Sequence, residues 1–176
     1  MANKGCLLMQ SNVTFVTDRK HVSPIFHNMV SSTDRYYDEH AVKYYERTVV
    51  ADMSHLYDRF LPMLPTGGRI LDAGCGSGRD LRVFSERGFR AEGIDASLAL
   101  AEMARAYSGA PCAVGRIEDV AEEGCFDGIW ACASLLHLPK ATLVPALGRL
   151  RRALVPGGAI YASVQEGEGE QLMGDG

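Results

Sequence analysis

Three glycines alternate with small residues in Gly74-Cys75-Gly76-Ser77-Gly78, directly after the apolar run Arg69-Ile70-Leu71-Asp72-Ala73. Glycines at such a point let the backbone turn sharply and approach a bound molecule within contact distance. The dinucleotide fingerprint G-x-G-x-x-G would need its third glycine where Arg79 stands. Asp72 puts a carboxylate just before the first glycine. An anion there repels a pyrophosphate and can accept from an ammonium, so the loop favours a ligand with a cationic amino group.

Asp95 closes a second apolar run, Arg90 to Ile94, about twenty residues past the glycine loop. An acid so placed either hydrogen-bonds a ribose diol or caps the next helix, and the glycine loop upstream favours the ribose. His137, between Leu136 and Leu138-Pro139, carries an imidazole, a group that titrates near neutrality when unperturbed. It either deprotonates an acceptor hydroxyl or amine, or only bonds backbone in a strand-to-helix loop. His21, His27, His40 and His55 show no organised partners and read as surface residues. The five cysteines, Cys6, Cys75, Cys112, Cys125 and Cys132, are odd in number and never spaced C-x-x-C. Neither a metal site nor a disulfide framework is expected, but reduced cytosolic thiols.

The scaffold for these residues is written in alternating periodicities. Strand-like runs at Arg69–Ala73, Arg90–Ile94, Cys112–Val114, Phe126–Ala131 and Ala159–Val164 alternate with helical spacing at Asp80–Arg87, Leu98–Tyr107 and the stripe Leu143, Leu147, Leu150, Leu154. Such alternation implies right-handed crossovers and an α/β fold, a doubly wound, mostly parallel sheet covered on both faces. Pro156-Gly157-Gly158 is expected to stop the last helix before the final strand. Upstream, Thr33 or Asp34 caps a helical pattern that reads as one bent helix or two short ones, ended by Pro62 and Pro65-Thr66-Gly67-Gly68.

The expected organisation is one domain over residues 33–164, a helical cap at 33–64 on an α/β core at 69–164. Residues 1–32 lack sustained periodicity apart from a short strand-like run at Val13–Val16, and read as poorly ordered. Residues 165–176, rich in glycine and acids, read as a flexible tail.

With 176 residues, 47% hydrophobic and 23% charged, the chain suits one globular domain. Its longest nearly apolar stretch, Gly128 to Leu136, is less than half a membrane span. No secretory signal core is evident, so a cytoplasmic protein with no membrane partner is expected. A net charge of −4 builds no broad positive field, which argues against a nucleic-acid partner. Arg149, Arg151 and Arg152 read as the solvated face of a helix.

Taken together, D-x-G-x-G-x-G after the first predicted strand, the acid ending the second, Phe126-Asp127 opening the fourth and Leu154-Val155-Pro156-Gly157-Gly158 before the fifth resemble a class I S-adenosylmethionine-dependent methyltransferase. The resemblance spans roughly Tyr36 to Val164. Gly74 to Asp80 with Trp130 to Pro139 is similar to small bacterial methyltransferases of the tellurite-resistance type.

The resemblance implies a Rossmann-like core, S-adenosyl-L-methionine as cofactor, and in-line methyl transfer to a small-molecule acceptor. It implies that Asp72, Ala73, Gly74, Cys75, Gly76 and Gly78 hold the methionine portion, Asp95 the ribose and Ala96 the adenine. Relatives carry an acid near the adenine amino group where this chain has Arg116-Ile117. The Ile117 backbone, Glu118 or Asp119 would substitute. Ala131 and Cys132 would pass beneath the sulfonium. Tyr36, Tyr37, Tyr44, Tyr45 and Arg47 lie in a segment that folds over the site in similar enzymes. Tyr44 and Arg47 are the candidates for cofactor contact, and Tyr36 and Tyr37 join His137 as catalytic candidates; the alternative is that the tyrosines pack as core or sit at a helix end.

Similar enzymes continue past the fifth strand into a helix and an antiparallel strand pair, whereas this sequence reaches Gly176 without them. The fifth strand is then expected to be an uncovered edge. Truncation, a homodimer through that edge, or a partner supplying strands would each account for it. The alternative function is a catalytically silent cofactor-binding module or subunit.

Overall fold

The computed structural model describes residues 4–10 and 32–165. Strand β1 (Lys4–Gln10) precedes helices α1 (Ser32–Glu39), α2 (Ala41–Thr48) and α3 (Ser54–Phe60). The alternating part follows: β2 (Arg69–Ala73), α4 (Arg79–Glu86), β3 (Arg90–Asp95), α5 (Leu98–Ser108), β4 (Cys112–Val114), β5 (Phe126–Cys132), α6 (Lys140–Ala153) and β6 (Leu154–Gln165). The sheet order is β1-β6-β5-β2-β3-β4. β2 to β6 pair in parallel, as their alternation with helices requires.

The far edge of β6 is not open. β1 runs antiparallel along it from Lys4↔Gln165 to Gln10↔Ala159. A homodimer through that edge therefore loses its ground, and part of the stretch read as poorly ordered is a strand. Pairing of this kind is made by backbone amides across most of the chain length and leaves little mark in a short sequence. The strand expected at Val13–Val16 and the tail from residue 166 onward lie outside the described residues.

Pro156-Gly157-Gly158 does not separate helix from strand either. Phe126 pairs with Leu154 and Gly128 with Ala159, so residues 155–158 bulge out within β6. Gly157 takes φ +76° there, a conformation that suits glycine.

The helical cap is three helices rather than one or two. α1 and α2 form a bent pair: His40 leaves helical geometry (φ −113°, ψ 13°), yet its N–H donates to Tyr36 O and its carbonyl accepts from Tyr44 N, both at 3.0 Å. His40 is also partnered through its ring, which stacks on Tyr36 at 4.4 Å with Nδ1 2.9 Å from Tyr36 O. α3 starts separately, where Asp52 Oδ1 accepts from the Ser54 amide and hydroxyl.

Strand alternation divides the core in two. On one face Ile70, Trp130 and Tyr161 meet Phe60 of α3, Phe84 of α4 and Ala104 of α5. The single tryptophan, Trp130, is fully buried and stacks on Tyr161 at 3.9 Å. On the other face Leu71, Ala73 and Ile129 meet Ala146, Leu150 and Ala153 of α6. At the amino end Asp127 Oδ2 accepts from the Arg69 amide at 2.8 Å, tying β5 to β2. Among the described residues, no helix is long and apolar enough to cross a membrane.

Candidate active site

After β4 the chain crosses back over the sheet to place β5 beside β2, so the loops leaving β2 and β5 diverge at their carboxyl ends. That is where an open α/β sheet forms a crevice. A cavity of about 350 Å³ lies there. Of the predicted site residues, Gly74, Gly76, Asp95, Ala96, Ile117 and Glu118 line it, joined by Tyr37, Tyr44 and His137.

The glycine loop is fixed by its neighbours. The amides of Gly74 and Cys75 both donate to Ile94 O, at 2.8 and 3.1 Å. The Gly76 amide donates to Asp95 Oδ2 at 2.8 Å, while Asp95 Oδ1 accepts from Ser97 N at 2.9 Å. One carboxylate thus ties the loop to the start of α5. Gly74 (φ +83°) and Gly76 (φ +53°) also need their missing side chains: a Cβ on Gly74 would lie 2.4 Å from Ser134 Cβ, and one on Gly76 3.0 Å from the Tyr44 ring.

Other predicted residues sit away from the cavity. Gly78 caps α4 (φ +76°), and a Cβ there would meet Ala104 Cα of α5 at 2.7 Å. Its role in this geometry is helix packing. Asp72 and Ala73 are buried beneath the loop, and Asp72 Oδ2 has no hydrogen-bond partner among the described residues. Burial, with Asp80 adding to it, holds the Asp72 carboxyl well above the usual carboxylate range. Cys75 points into the core toward Cys112. Ala131 is buried, and Cys132 lies against Ser163. Tyr36 stacks on His40, and Arg47 is exposed with its guanidinium 5.9 Å from the Tyr44 ring centroid.

Sequence reasoning missed Ala133 and Ser134, which line the cavity where Ala131 and Cys132 were expected. The cause is that β5 extends to Cys132, so its turn falls later than the apolar pattern suggests. Ala133 is the one described non-glycine residue with positive φ (+54°). The buried Ser134 Oγ beside it has no hydrogen-bond partner among the described residues. Strain at such a point is a mark of functional sites. Arg116, at the position expected near the adenine, lines the cavity too, as do Ser97, Leu100 and Thr142, which sequence reasoning did not assign.

Across the cavity, Tyr37 Oη of α1 is hydrogen-bonded to His137 Nε2 at 3.0 Å. Burial holds His137 below the ordinary imidazole range, so its ring is neutral at pH 7, and it raises the Tyr37 phenol. Tyr44, also raised by burial, meets Tyr37 edge to face at 5.2 Å. No group of three or more His, Cys, Asp or Glu among the described residues is arranged to hold a metal ion.

Residues 45–173 match the family model described as a methyltransferase domain. The chain is 31% identical over 106 residues to a ubiquinone biosynthesis O-methyltransferase of Xanthomonas axonopodis pv. citri, covering 56% of this chain and 44% of that protein. It is 34% identical over 115 residues to a malonyl-[acyl-carrier protein] O-methyltransferase of Serratia marcescens, covering 62% and 43%. The chain thus matches under half the length of these curated relatives. Among solved structures, a TehB-like S-adenosylmethionine-dependent methyltransferase from Corynebacterium glutamicum superposes with a TM-score of 0.61 at 29% identity, over 68% of this chain and 70% of that one. A family match over well over half the chain, on this sheet order and glycine loop, makes the chain a member of the class I S-adenosylmethionine-dependent methyltransferases.

Proposed function

We propose that this chain transfers a methyl group from S-adenosylmethionine to an oxygen of a small hydroxyl-bearing acceptor, with His137 taking the acceptor's proton. The observation that carries the reading is that one cavity contains both the glycine loop with Asp95 and the Tyr37–His137 pair.

The residues present suit this cofactor. Ser134 Oγ, buried at the cavity wall with no hydrogen-bond partner among the described residues, suits a ligand's amino-acid end, while Asp72, on the neighbouring strand, supports the loop from beneath. Asp95 offers carboxylate oxygens for ribose hydroxyls, while Ala96, Ile117 and Leu100 give apolar contact for a purine. Glu118 lines the same end, its Oε1 3.9 Å from Arg116 Nη1, and supplies the acceptor that Arg116-Ile117 lacks for the adenine amino group. The Tyr44 ring lies against Gly76 and lines the cavity beside the loop.

When bound, S-adenosylmethionine supplies an electrophilic methyl group on a positively charged sulfur. The protein's task is then to align a nucleophile, exclude water and accept one proton. His137, neutral through burial, binds the acceptor hydroxyl in place of the Tyr37 hydroxyl and holds the released proton. The Tyr37 ring, edge to face with the imidazole at 5.3 Å, keeps it oriented after the hydroxyl is displaced and closes the cavity from α1. That the curated relatives named above are O-methyltransferases supports an oxygen acceptor.

The test is transfer of labelled methyl from S-adenosylmethionine to a panel of small phenols, alcohols and carboxylic acids. Turnover of a hydroxyl compound that His137→Ala abolishes, with cofactor binding intact, supports the reading. Cofactor binding with no methyl release to any acceptor favours the silent module.

A further inference from the structure

Cys75 and Cys112 bring their sulfur atoms to 3.0 Å from each other, and neither residue lines the cavity. Cys75 sits between Gly74 and Gly76, the two loop glycines that do line it. Cys112 opens β4, where it pairs with Gly93 of β3. The thiols are 6% and 7% exposed, while Cys125 bonds Glu123 O and Cys132 lies against Ser163. A disulfide needs its sulfurs at about 2.05 Å, so closing the bond takes an approach of about one ångström.

We propose that Cys75 and Cys112 form an oxidisable dithiol whose disulfide ties the glycine loop to β4 and weakens cofactor binding. The second half rests on the cofactor reading above. The oxidant is a peroxide, small enough to reach a thiol under a loop.

Cys112 is the attacking sulfur. A hydrogen bond from the Cys75 thiol and the nearby Arg105 favour its thiolate, while the same bond holds Cys75 protonated. The Cys112 thiolate attacks one peroxide oxygen, the O–O bond breaks, and the departing hydroxide takes up a proton to become water. The resulting sulfenic acid is attacked by the Cys75 sulfur, which gives up its proton as the S–O bond breaks and a second water leaves. Two thiols and one hydrogen peroxide become one disulfide and two waters. A thiol reductant reverses the step.

The movement that closes the bond falls on the loop. Cys112 is held by the β3–β4 pairing, and Cys75 lies directly over Gly93 of β3, where the missing side chain makes room for it: a Cβ there would lie 2.9 Å from Cys75 Sγ and 3.0 Å from its Cβ. Drawing Cys75 toward β4 therefore shifts Gly74 and Gly76 and strains the Gly76–Asp95 hydrogen bond.

The experiment uses the full chain, reduced and then treated with hydrogen peroxide, followed by non-reducing peptide mapping and titration with S-adenosylhomocysteine. Cys112→Ser and Cys112→Ala serve as controls. The expected result is a Cys75–Cys112 cross-link, reversed by dithiothreitol, with affinity lowered at least about fivefold in the wild type and unaffected by peroxide in whichever control folds. A cross-link elsewhere, none at all, or full cross-linking with unchanged affinity overturns the proposal. Cross-linking in a reduced protein that never bound S-adenosylhomocysteine refutes the cofactor reading and leaves the disulfide site standing.

Discussion

Tyr37 and His137 lie a hundred residues apart in sequence and share a 3.0 Å hydrogen bond across the mouth of the cavity. The bond joins α1 of the helical cap to the turn after β5. Both partners are half-buried, and their pKa values move apart, the imidazole down and the phenol up.

That divergence predicts a pH profile. His137 must be neutral to take a proton, and burial lowers its pKa below the unperturbed value of about 6.5. Turnover should be flat above pH 7 and fall only as pH drops through the lowered value. The linked stability has the same sign: it is fully present above the unfolded pKa and is lost as pH falls through the folded one. His137→Ala should cost about a hundredfold or more in turnover with cofactor affinity within about twofold. Tyr37→Phe should reduce kcat and shift the acid limb upward. An acid limb unchanged in both variants would contradict the pair's role.

A second buried arrangement predicts stability rather than chemistry. Asp80, 5% exposed, accepts from Arg79 Nε at 2.6 Å and Nη2 at 2.9 Å, from Trp130 Nε1 at 2.8 Å and from the Tyr57 hydroxyl. Asp80→Ala leaves the indole N–H and the phenol without their acceptor and the half-buried Arg79 guanidinium with only Thr48 O as an oxygen partner among the described residues. The expected loss is about 3–5 kcal/mol in chemical denaturation. A loss below about 1 kcal/mol would show that these groups find water instead.

The glycines of the loop should separate by function. Gly78→Ala meets Ala104 backbone at 2.7–2.8 Å in a left-handed conformation, so it should lower the melting temperature while the folded fraction keeps its cofactor affinity. Gly76→Ala faces the movable Tyr44 ring at 3.0 Å and lines the cavity, so its main effect should be on affinity. Thermal denaturation with and without S-adenosylhomocysteine distinguishes the two.

Much of this fold was legible because its parallel strands are short apolar runs closed by turn residues. Arg69–Ala73 and Cys112–Val114 form as their sequences suggest, since Gly74 and Gly115 end them. Gly74, Gly76 and Asp95 meet at one cavity because a strand-end loop and a strand-end acid on neighbouring parallel strands must do so. β1 was not legible, since its partner is the last strand and its pairing is carried by backbone. Gly78, expected with the ligand-holding glycines, lies off the cavity lining and packs against Ala104, and a glycine required for helix packing reads the same in sequence as one required for ligand approach. Asp80 and Ser134 carried no signal: nothing in sequence tells that Trp130 and Tyr57 converge on the first, or that Ala133 turns left-handed before the second.

Asp95 holds the loop amide of Gly76 and, in the cofactor reading, the ribose as well. The most direct measurement is calorimetric titration of S-adenosylhomocysteine into the wild type and into Asp95→Ala. Micromolar binding to the wild type, weakened at least tenfold in the variant (about 1.4 kcal/mol), is the predicted result. No heat with the wild type, or equal affinity in the two proteins, would contradict the account.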